Sequence, residues 1–377
     1  MTWGAARRMD GIERTLIRRI FDAAPPGSIN LGLGQPDLPT PPLIALAGIG
    51  GIAAGKTGYT STAGDPALRA AIARRYPGIA AGPDSVVVTI GSQEAVFTAM
   101  MTLVDPGDEV LVPDPGYPAY PIVARLLGAR AVTYPLRPER AFRIDPEDVL
   151  ARVTKATRLV ILCSPSNPTG AMDLPEDLRT LARGLQDRGV PWISDEIYAG
   201  FAYDRSASSI ATEAPEGGLV VSGLSKDLSM TGWRIGWVVG PQRVVARIIA
   251  AHQYVVTCAS SVSQAAATVA LSESAAPDRS AYLEIFRTRR ALMAEELSRI
   301  PGLRVTVPDG AFYFFVDVRP FGSSASIAER LLARRHVITI PGEAFGPGGT
   351  GFIRISYAAT DEHIERGVRA LGEELRA

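Results

Sequence analysis

Between residues 86 and 239 the chain alternates short, almost unbroken apolar runs with stretches in which apolar positions recur every three or four residues. The short runs at 86–90, 109–112, 130–134, 159–162, 190–194, 219–222 and 235–239 are rich in Val, Ile and Leu. Such runs predict strands buried on both faces. The periodic stretches at 94–103, 118–127 and 176–188 predict helices between them. Strands without a polar face, separated by helices, predict an α/β fold whose mostly parallel sheet is covered on both sides. Ahead of this region, residues 12–21 predict a short amphipathic helix, stopped by Ala24-Pro25-Pro26-Gly27. A strand-like stretch at 29–33 and a Gly/Pro-rich loop reaching Pro42 follow. After residue 240, long helical patterns at 244–271 and 282–300 lead into a section of different character. There, strands are expected at 303–307, 311–316, 337–340 and 352–356, and helices at 326–335 and 361–375. This predicts a large domain over residues 30–275 and a smaller α+β domain built from 1–29 and 276–377.

Composition narrows the class. Of 377 residues, 46% are hydrophobic and 21% charged, which suits a globular protein and is too apolar for disorder. Lys+Arg and Asp+Glu are each 39, so there is no bulk charge to attract nucleic acid or an anionic membrane. No apolar run is long enough for a membrane span, and residues 1–10 lack the apolar stretch of a signal peptide. Cys163 and Cys258 are the only cysteines, too few for a disulfide scaffold or a four-thiolate zinc site. His252, His336 and His363 fit no metal-ligand spacing. A cytoplasmic protein without nucleic-acid, membrane or metal partners is expected.

Two rarities point to chemistry. Lys56, Lys155 and Lys226 are the only lysines among the 39 basic residues, and Asn30 and Asn167 are the only asparagines. A lysine kept where arginine is otherwise preferred can do what arginine cannot, namely form a Schiff base or pass a proton. Lys226 lies in Ser222-Gly-Leu-Ser-Lys-Asp-Leu-Ser-Met-Thr-Gly-Trp-Arg-Ile-Gly236, just after an expected strand. Arg234 and the nearby hydroxyls make a phosphate site, and a cation beside Lys226 depresses its pKa. A nucleophilic amine next to a phosphate site is the layout expected for pyridoxal phosphate. Trp192-Ile-Ser-Asp-Glu-Ile-Tyr198 ends an apolar run in carboxylates, where ligands bind in open α/β sheets. There Asp195 could pair with a protonated pyridine nitrogen, or simply cap a helix.

Further segments sit at similar places. Cys163-Ser-Pro-Ser-Asn-Pro-Thr-Gly170 aims Asn167 from a strand-end turn. Thr89-Ile-Gly-Ser-Gln-Glu-Ala-Val-Phe97 runs from a strand into a helix start carrying Ser92 and Gln93, where backbone amides bind phosphate. Pro113-Asp-Pro-Gly-Tyr-Pro-Ala-Tyr120 puts Tyr117 on a strand-end loop, from which it could stack on a flat ring. Arg354, inside the strand pattern of Phe352-Ile-Arg-Ile-Ser-Tyr357, either grips a substrate carboxylate or joins a structural ion pair. No Walker A loop, G-x-G-x-x-G, H-E-x-x-H or G-x-S-x-G motif is present.

Taken in this order, the segments resemble the class I/II aminotransferases, the fold-type-I pyridoxal-phosphate enzymes related to aspartate aminotransferase, from Gly32 to about Tyr357. The resemblance implies pyridoxal 5'-phosphate as cofactor, with Lys226 as the Schiff-base lysine and proton-transfer base. It places Asp195 at the pyridine nitrogen, Asn167 and Tyr198 at the phenolic oxygen, and Tyr117 over the ring. Ser92, Gln93, Ser225 and Arg234 would hold the phosphate. Many relatives carry a hydroxyl three residues before the lysine; here that position is Gly223, flanked by Ser222 and Ser225, so both serines are candidates. Arg354 would bind the substrate α-carboxylate, with Asn167 and the Gly34 backbone. Tyr59 matches the tyrosine that reaches the phosphate of a neighbouring subunit, implying a homodimer with shared active sites.

Transamination between an L-amino acid and a 2-oxo acid is the activity this implies. Lyases, decarboxylases, oxidases and cyclases of the same fold use the same residues. A pyridoxal-phosphate-binding regulator of transcription is the remote alternative, because no basic helix-turn-helix fits in the roughly 28 residues before the core. Residues near Gly11 to Arg18, the 32–41 loop and the partner subunit are expected to read the substrate side chain.

Overall fold

The computed structural model describes residues 3–376. Its strands are β1 (Ile29–Asn30), β2 (Val86–Thr89), β3 (Glu109–Asp114), β4 (Arg130–Pro135), β5 (Thr157–Cys163), β6 (Trp192–Asp195), β7 (Gly218–Gly223), β8 (Gly236–Val239), β9 (Tyr313–Asp317), β10 (Val337–Ile338), β11 (Ile340–Pro341) and β12 (Phe352–Ser356). The apolar runs of the first half form one seven-stranded sheet, ordered β2-β8-β7-β6-β5-β3-β4. Only β8 runs against its neighbours; the other adjacent pairs are parallel.

The lack of alternation has a direct cause. Successive residues of β5 enter two different apolar layers: Leu159 and Ile161 face one, Val160 and Leu162 the other. Both layers are covered by helices, so each side chain is removed from water. Each such burial contributes roughly 1.5–3 kcal/mol. The parallel register sets Cys163 of β5 beside Asp195 of β6, and Asp195 beside Val221 of β7. Three strands therefore end side by side at one carboxyl edge, where the chemistry-bearing loops begin.

A second apolar cluster surrounds the antiparallel sheet β11-β12-β9. In it Arg354 lies opposite Ile340 and Phe315. The parallel pair β1–β10 ties Ile29 to Val337, joining the start of the chain to its last section. Residues 1, 2 and 377 of the expected small domain lie outside the described residues. Among the described residues, no helix is long and apolar enough to cross a membrane.

Four expectations need correction. The first helix begins at Leu16 rather than near Ile12, because Thr15 caps it by accepting from the Arg18 amide at 3.2 Å. The 244–271 pattern is two helices, Gln242–Val256 and Ser261–Ala270, broken at Thr257 with its φ of 68° and restarted by the Ser260 cap. Residues 303–307 form no strand; Arg304 makes only a single bridge to Asp317. The helices Pro42–Ala53 and Pro66–Arg74 were not foreseen. The first carries Gly48, Gly50 and Gly51, which read as breakers in sequence. Here Gly48 is a contact surface: a Cβ on it would come within 2.6 Å of the Trp233 ring.

Candidate active site

The carboxyl edge of the sheet opens into a cavity of about 340 Å³. Asp195 is the last residue of β6, and Lys226 lies three residues beyond β7. The turn carrying Asn167 follows β5, and the helix Gly91–Leu103 starts two residues after β2. Lys226, Asp195, Asn167, Tyr198, Tyr117, Ser92, Gln93, Ser225, Arg234, Gly34 and Arg354 all line this one cavity. Residues spread over more than 300 positions meet there because the parallel strands end together.

Asp195 is buried, with Oδ2 accepting from the Tyr120 hydroxyl at 2.8 Å and Oδ1 from the Ile197 amide at 3.2 Å. Desolvation pushes its carboxyl up to about 6, against these two bonds and the positive charge of Lys226. It is a buried anion short of cationic partners. The part-buried Lys226 amine donates to the Gly34 carbonyl at 2.5 Å. Burial, then Arg354, then Arg234 lower its pKa to about 8, and Asp195 opposes them. An amine in this state is a usable nucleophile and base near neutral pH, whereas a solvated lysine is a cation. The sign is explicit: a lowered pKa means the neutral amine appears at lower pH. Acetylation of cofactor-free protein, followed peptide by peptide by mass spectrometry, should therefore reach half its maximal rate at Lys226 near pH 8.

One end of the cavity is built for an anion. Arg234 adopts a left-handed backbone (φ 53°) and donates through Nη1 to the Thr231 carbonyl at 3.0 Å. Its guanidinium lies against the helix start: a Cβ on Gly91 would stand 2.8 Å from Arg234 Nη2. Gly236 permits the matching approach, since a Cβ there would be 2.6 Å from the Ser92 amide nitrogen. A thirteen-residue helix starting at Gly91, the Ser92, Ser225 and Thr231 hydroxyls and an arginine thus converge. Helix dipole, oriented amides and guanidinium all favour a phosphate there.

A second cation of the cavity wall is Arg354, 2% exposed on β12. Nη1 donates to Asn167 Oδ1 at 2.7 Å and Nη2 to the Gly32 carbonyl at 2.5 Å, while Nε is buried without a partner. Among the described residues no carboxylate pairs with it, so the structural ion pair admitted by the sequence is not formed there. The guanidinium is sandwiched over the rings of Tyr313 and Phe345, at 4.3 and 4.7 Å. A buried cation held this way calls for an anionic ligand.

The structure separates the two candidate serines. Ser225 lines the cavity, whereas Ser222 does not; its hydroxyl donates to the Glu196 carbonyl at 3.2 Å, so the expectation for Ser222 is corrected. The reason is strand pleat: Ser222 is still within β7, and its side chain points behind the edge. Tyr59 is also absent from this cavity and stands 90% exposed on the surface. Sequence reasoning missed Tyr120, although it sits one helical turn after Tyr117. It also missed Tyr313, whose hydroxyl bonds that of Tyr198 at 2.8 Å. Tyr313 lies in an apolar strand pattern, and nothing in the sequence pairs it with residue 198. Ile17, Arg18, Leu33 and Gln35 line the cavity from the two segments expected to read the side chain.

The donor set fits pyridoxal 5'-phosphate on three counts. Asp195 awaits a cation, the Arg234 site awaits a phosphate, and the Lys226 amine shares their cavity with its pKa lowered to about 8 by burial, Arg354 and Arg234.

Comparison with known proteins agrees. Residues 26–371 match the family model for aminotransferase class I and II. The chain is 36% identical to an aspartate aminotransferase of Pyrococcus horikoshii over 367 residues, 95% of this chain and 94% of the relative. It is 38% identical to an arginine–pyruvate transaminase of Pseudomonas aeruginosa over 347 residues, 90% of this chain and 88% of the relative. The solved aspartate aminotransferase of Thermus thermophilus with maleate superposes with a TM-score of 0.93 at 32% identity, covering 99% of this chain and 100% of that one. An aromatic aminotransferase from Pyrococcus horikoshii does so with a TM-score of 0.89 at 32% identity, covering 96% and 98%. With its site geometry, its fold and its sequence in agreement, this chain belongs to the class I and II aminotransferase family.

Proposed function

We propose that this aminotransferase moves an α-amino group from an L-amino acid to a 2-oxo acid by a ping-pong cycle centred on Lys226. The observation that carries this is the shared cavity: a depressed-pKa lysine and a buried aspartate lie between an anion site at Arg234 and a second at Arg354. Pyridoxal 5'-phosphate, when bound, supplies an aldehyde for the amino nitrogen and an electron-withdrawing ring. Lys226 would hold it covalently and would carry the proton from the substrate Cα. Asp195, oriented by Tyr120, would keep a proton on the ring nitrogen. Asn167 and Tyr198 would serve the phenolic oxygen and Tyr117 the ring. Ser92, Gln93, Ser225 and Arg234 would hold the phosphate; Arg354, Asn167 and the Gly34 backbone would take the α-carboxylate.

The test is the visible spectrum of the cofactor-loaded protein during titration with single amino acids. The expected result is bleaching by some amino acids and full recovery on adding a 2-oxo acid. A spectrum that shifts without this reversible cycle overturns transamination in favour of a lyase, oxidase or cyclase.

Tyr59 is assigned to the partner's phosphate in a homodimer. Leu46, Ile49 and Ile52 support this, because they leave the helix Pro42–Ala53 with an apolar face 62, 60 and 57% exposed. A large open apolar face on a folded chain marks a contact surface. Sedimentation should give twice the chain mass, and Ile49→Asp should shift it toward the monomer with unchanged far-UV circular dichroism.

A further inference from the structure

The active-site cavity has a third side, which shares Gln93 and Arg234 with the anion site at the helix start. Past Ile17, Arg18, Leu33, Gln93, Tyr117 and Arg234 it opens into a groove of about 660 Å³, and those six residues line both spaces. The groove runs between the helices Gly91–Leu103 and Ala119–Leu126, and its walls include Ile90, Phe97, Ile122 and Leu126. With the α-carboxylate held at Arg354 and the amino nitrogen at Lys226, the groove is the outlet left for a substrate side chain.

Its charges are already committed. Two cations line it, Arg18 and Arg234. Arg234 belongs to the anion site at the helix start. Arg18 is bound through Nε to Asp22 at 2.9 Å and lies over the Phe21 ring at 5.5 Å. Two carboxylates, Glu13 and Glu94, also line the groove. Glu94 is fixed at both oxygens, by the Ile90 amide at 2.8 Å and by His252 Nδ1 at 2.9 Å. An acidic side chain entering here would lose water and meet the Glu13 and Glu94 carboxylates; among the described residues the groove's two cations are Arg18, already on Asp22, and Arg234, already at the helix start, so its burial is unfavourable. An aromatic or large aliphatic side chain would bury apolar surface against Phe97, Ile122 and Leu126, with aromatic groups burying roughly 150–250 Å² each.

We infer that the donor amino acid carries a large uncharged side chain, aromatic or branched aliphatic, seated in this groove, and that aspartate and glutamate are rejected there. The inference rests on the aminotransferase reading above and deepens it. It also departs from the substrate named for the Pyrococcus and Thermus aspartate aminotransferases that the chain resembles.

The test is kcat/KM for phenylalanine, leucine, alanine, aspartate and glutamate as donors to the cofactor-loaded enzyme, with pyruvate and then 2-oxoglutarate as acceptor. Phenylalanine or leucine should exceed aspartate and glutamate by about 100-fold or more and alanine by about tenfold or more, in line with what side-chain pockets achieve. Aspartate or glutamate as the best donor, or alanine equal to phenylalanine, overturns the assignment while leaving the aminotransferase reading intact. If no amino acid reacts, the aminotransferase reading falls and the assignment with it. Ile122→Asp should lower the phenylalanine-to-alanine ratio at least tenfold, and Ile122→Thr serves the same purpose if the aspartate variant does not fold. A ratio within threefold of the parent enzyme overturns the placement of the side chain in this groove.

Discussion

Lys226→Ala protein should lose transamination by about 10⁴-fold or more, the upper end of what a positioned proton-transfer group contributes. The substitution removes the covalent anchor and the mobile base together. Nothing nearby replaces them, since the other two lysines lie at positions 56 and 155, outside the cavity. The fold should survive. Among the described residues the Lys226 amine makes one hydrogen bond, to the Gly34 carbonyl, and its loss removes a positive charge that Arg354 and Arg234 repel. The phosphate end is untouched, so pyridoxal phosphate should still bind, though more weakly and reversibly. Lys226→Arg is the sharper control. It keeps the charge, but a guanidinium does not give up its proton, so activity should be as low as with alanine. A coupled donor–acceptor assay with matched far-UV circular dichroism measures both. Either variant within tenfold of the parent would remove Lys226 from the chemistry.

The second largest loss is expected at Asp195. Asparagine has nearly the same shape: its Oδ1 can accept from the Ile197 amide while its Nδ2 donates to the Tyr120 hydroxyl oxygen, whose proton turns away. The variant should fold, and its stability should change by less than about 1 kcal/mol or improve, because a buried charge that lacks a full partner is removed. Its function should not survive in the same way. Only a carboxylate can hold a proton on a ring nitrogen throughout the cycle. Removing one preorganised electrostatic partner lowers kcat by roughly 10²–10³-fold, and kcat should fall by that amount. The pairing also sets a direction: once a cation is bound, the Asp195 carboxyl should drop from about 6 in the free protein toward the usual carboxylate range. The measurement is kcat at saturating donor, together with thermal unfolding of the loaded and cofactor-free variant. Retention of kcat within threefold would show that the Asp195 charge is not used.

The site was legible in the sequence where its chemistry is local. Lys226 and Arg234 lie in one loop, and Asp195, Asn167 and Tyr117 each follow an apolar run that could only be a buried strand. Rarity helped as well, since single lysines and asparagines stood out against an arginine-rich background. Contacts between distant segments were not legible. Tyr313 reaches Tyr198 across 115 residues, and Arg354 reaches Gly32 across 322. Ser222 and Ser225 differ by three positions and by nothing in chemistry, so only the pleat of β7 could separate them. The helix Pro42–Ala53 was hidden because its glycines serve packing against Trp233 and Ala265 rather than turning. Residues 303–307 had the composition of a strand but lacked a continuous partner, and a strand exists only through its neighbours.

By itself, then, the sequence determined the α/β layering, the order of the strand-end loops and that Lys226 stands on one of them, because apolar periodicity and local motifs are properties of neighbouring residues. The tertiary structure alone decided which serine meets the cavity, what holds Arg354, how Tyr120 orients Asp195 and which apolar groove adjoins the cavity. Those depend on strand register, on pleat and on the packing of segments far apart in the chain, and no local pattern encodes them.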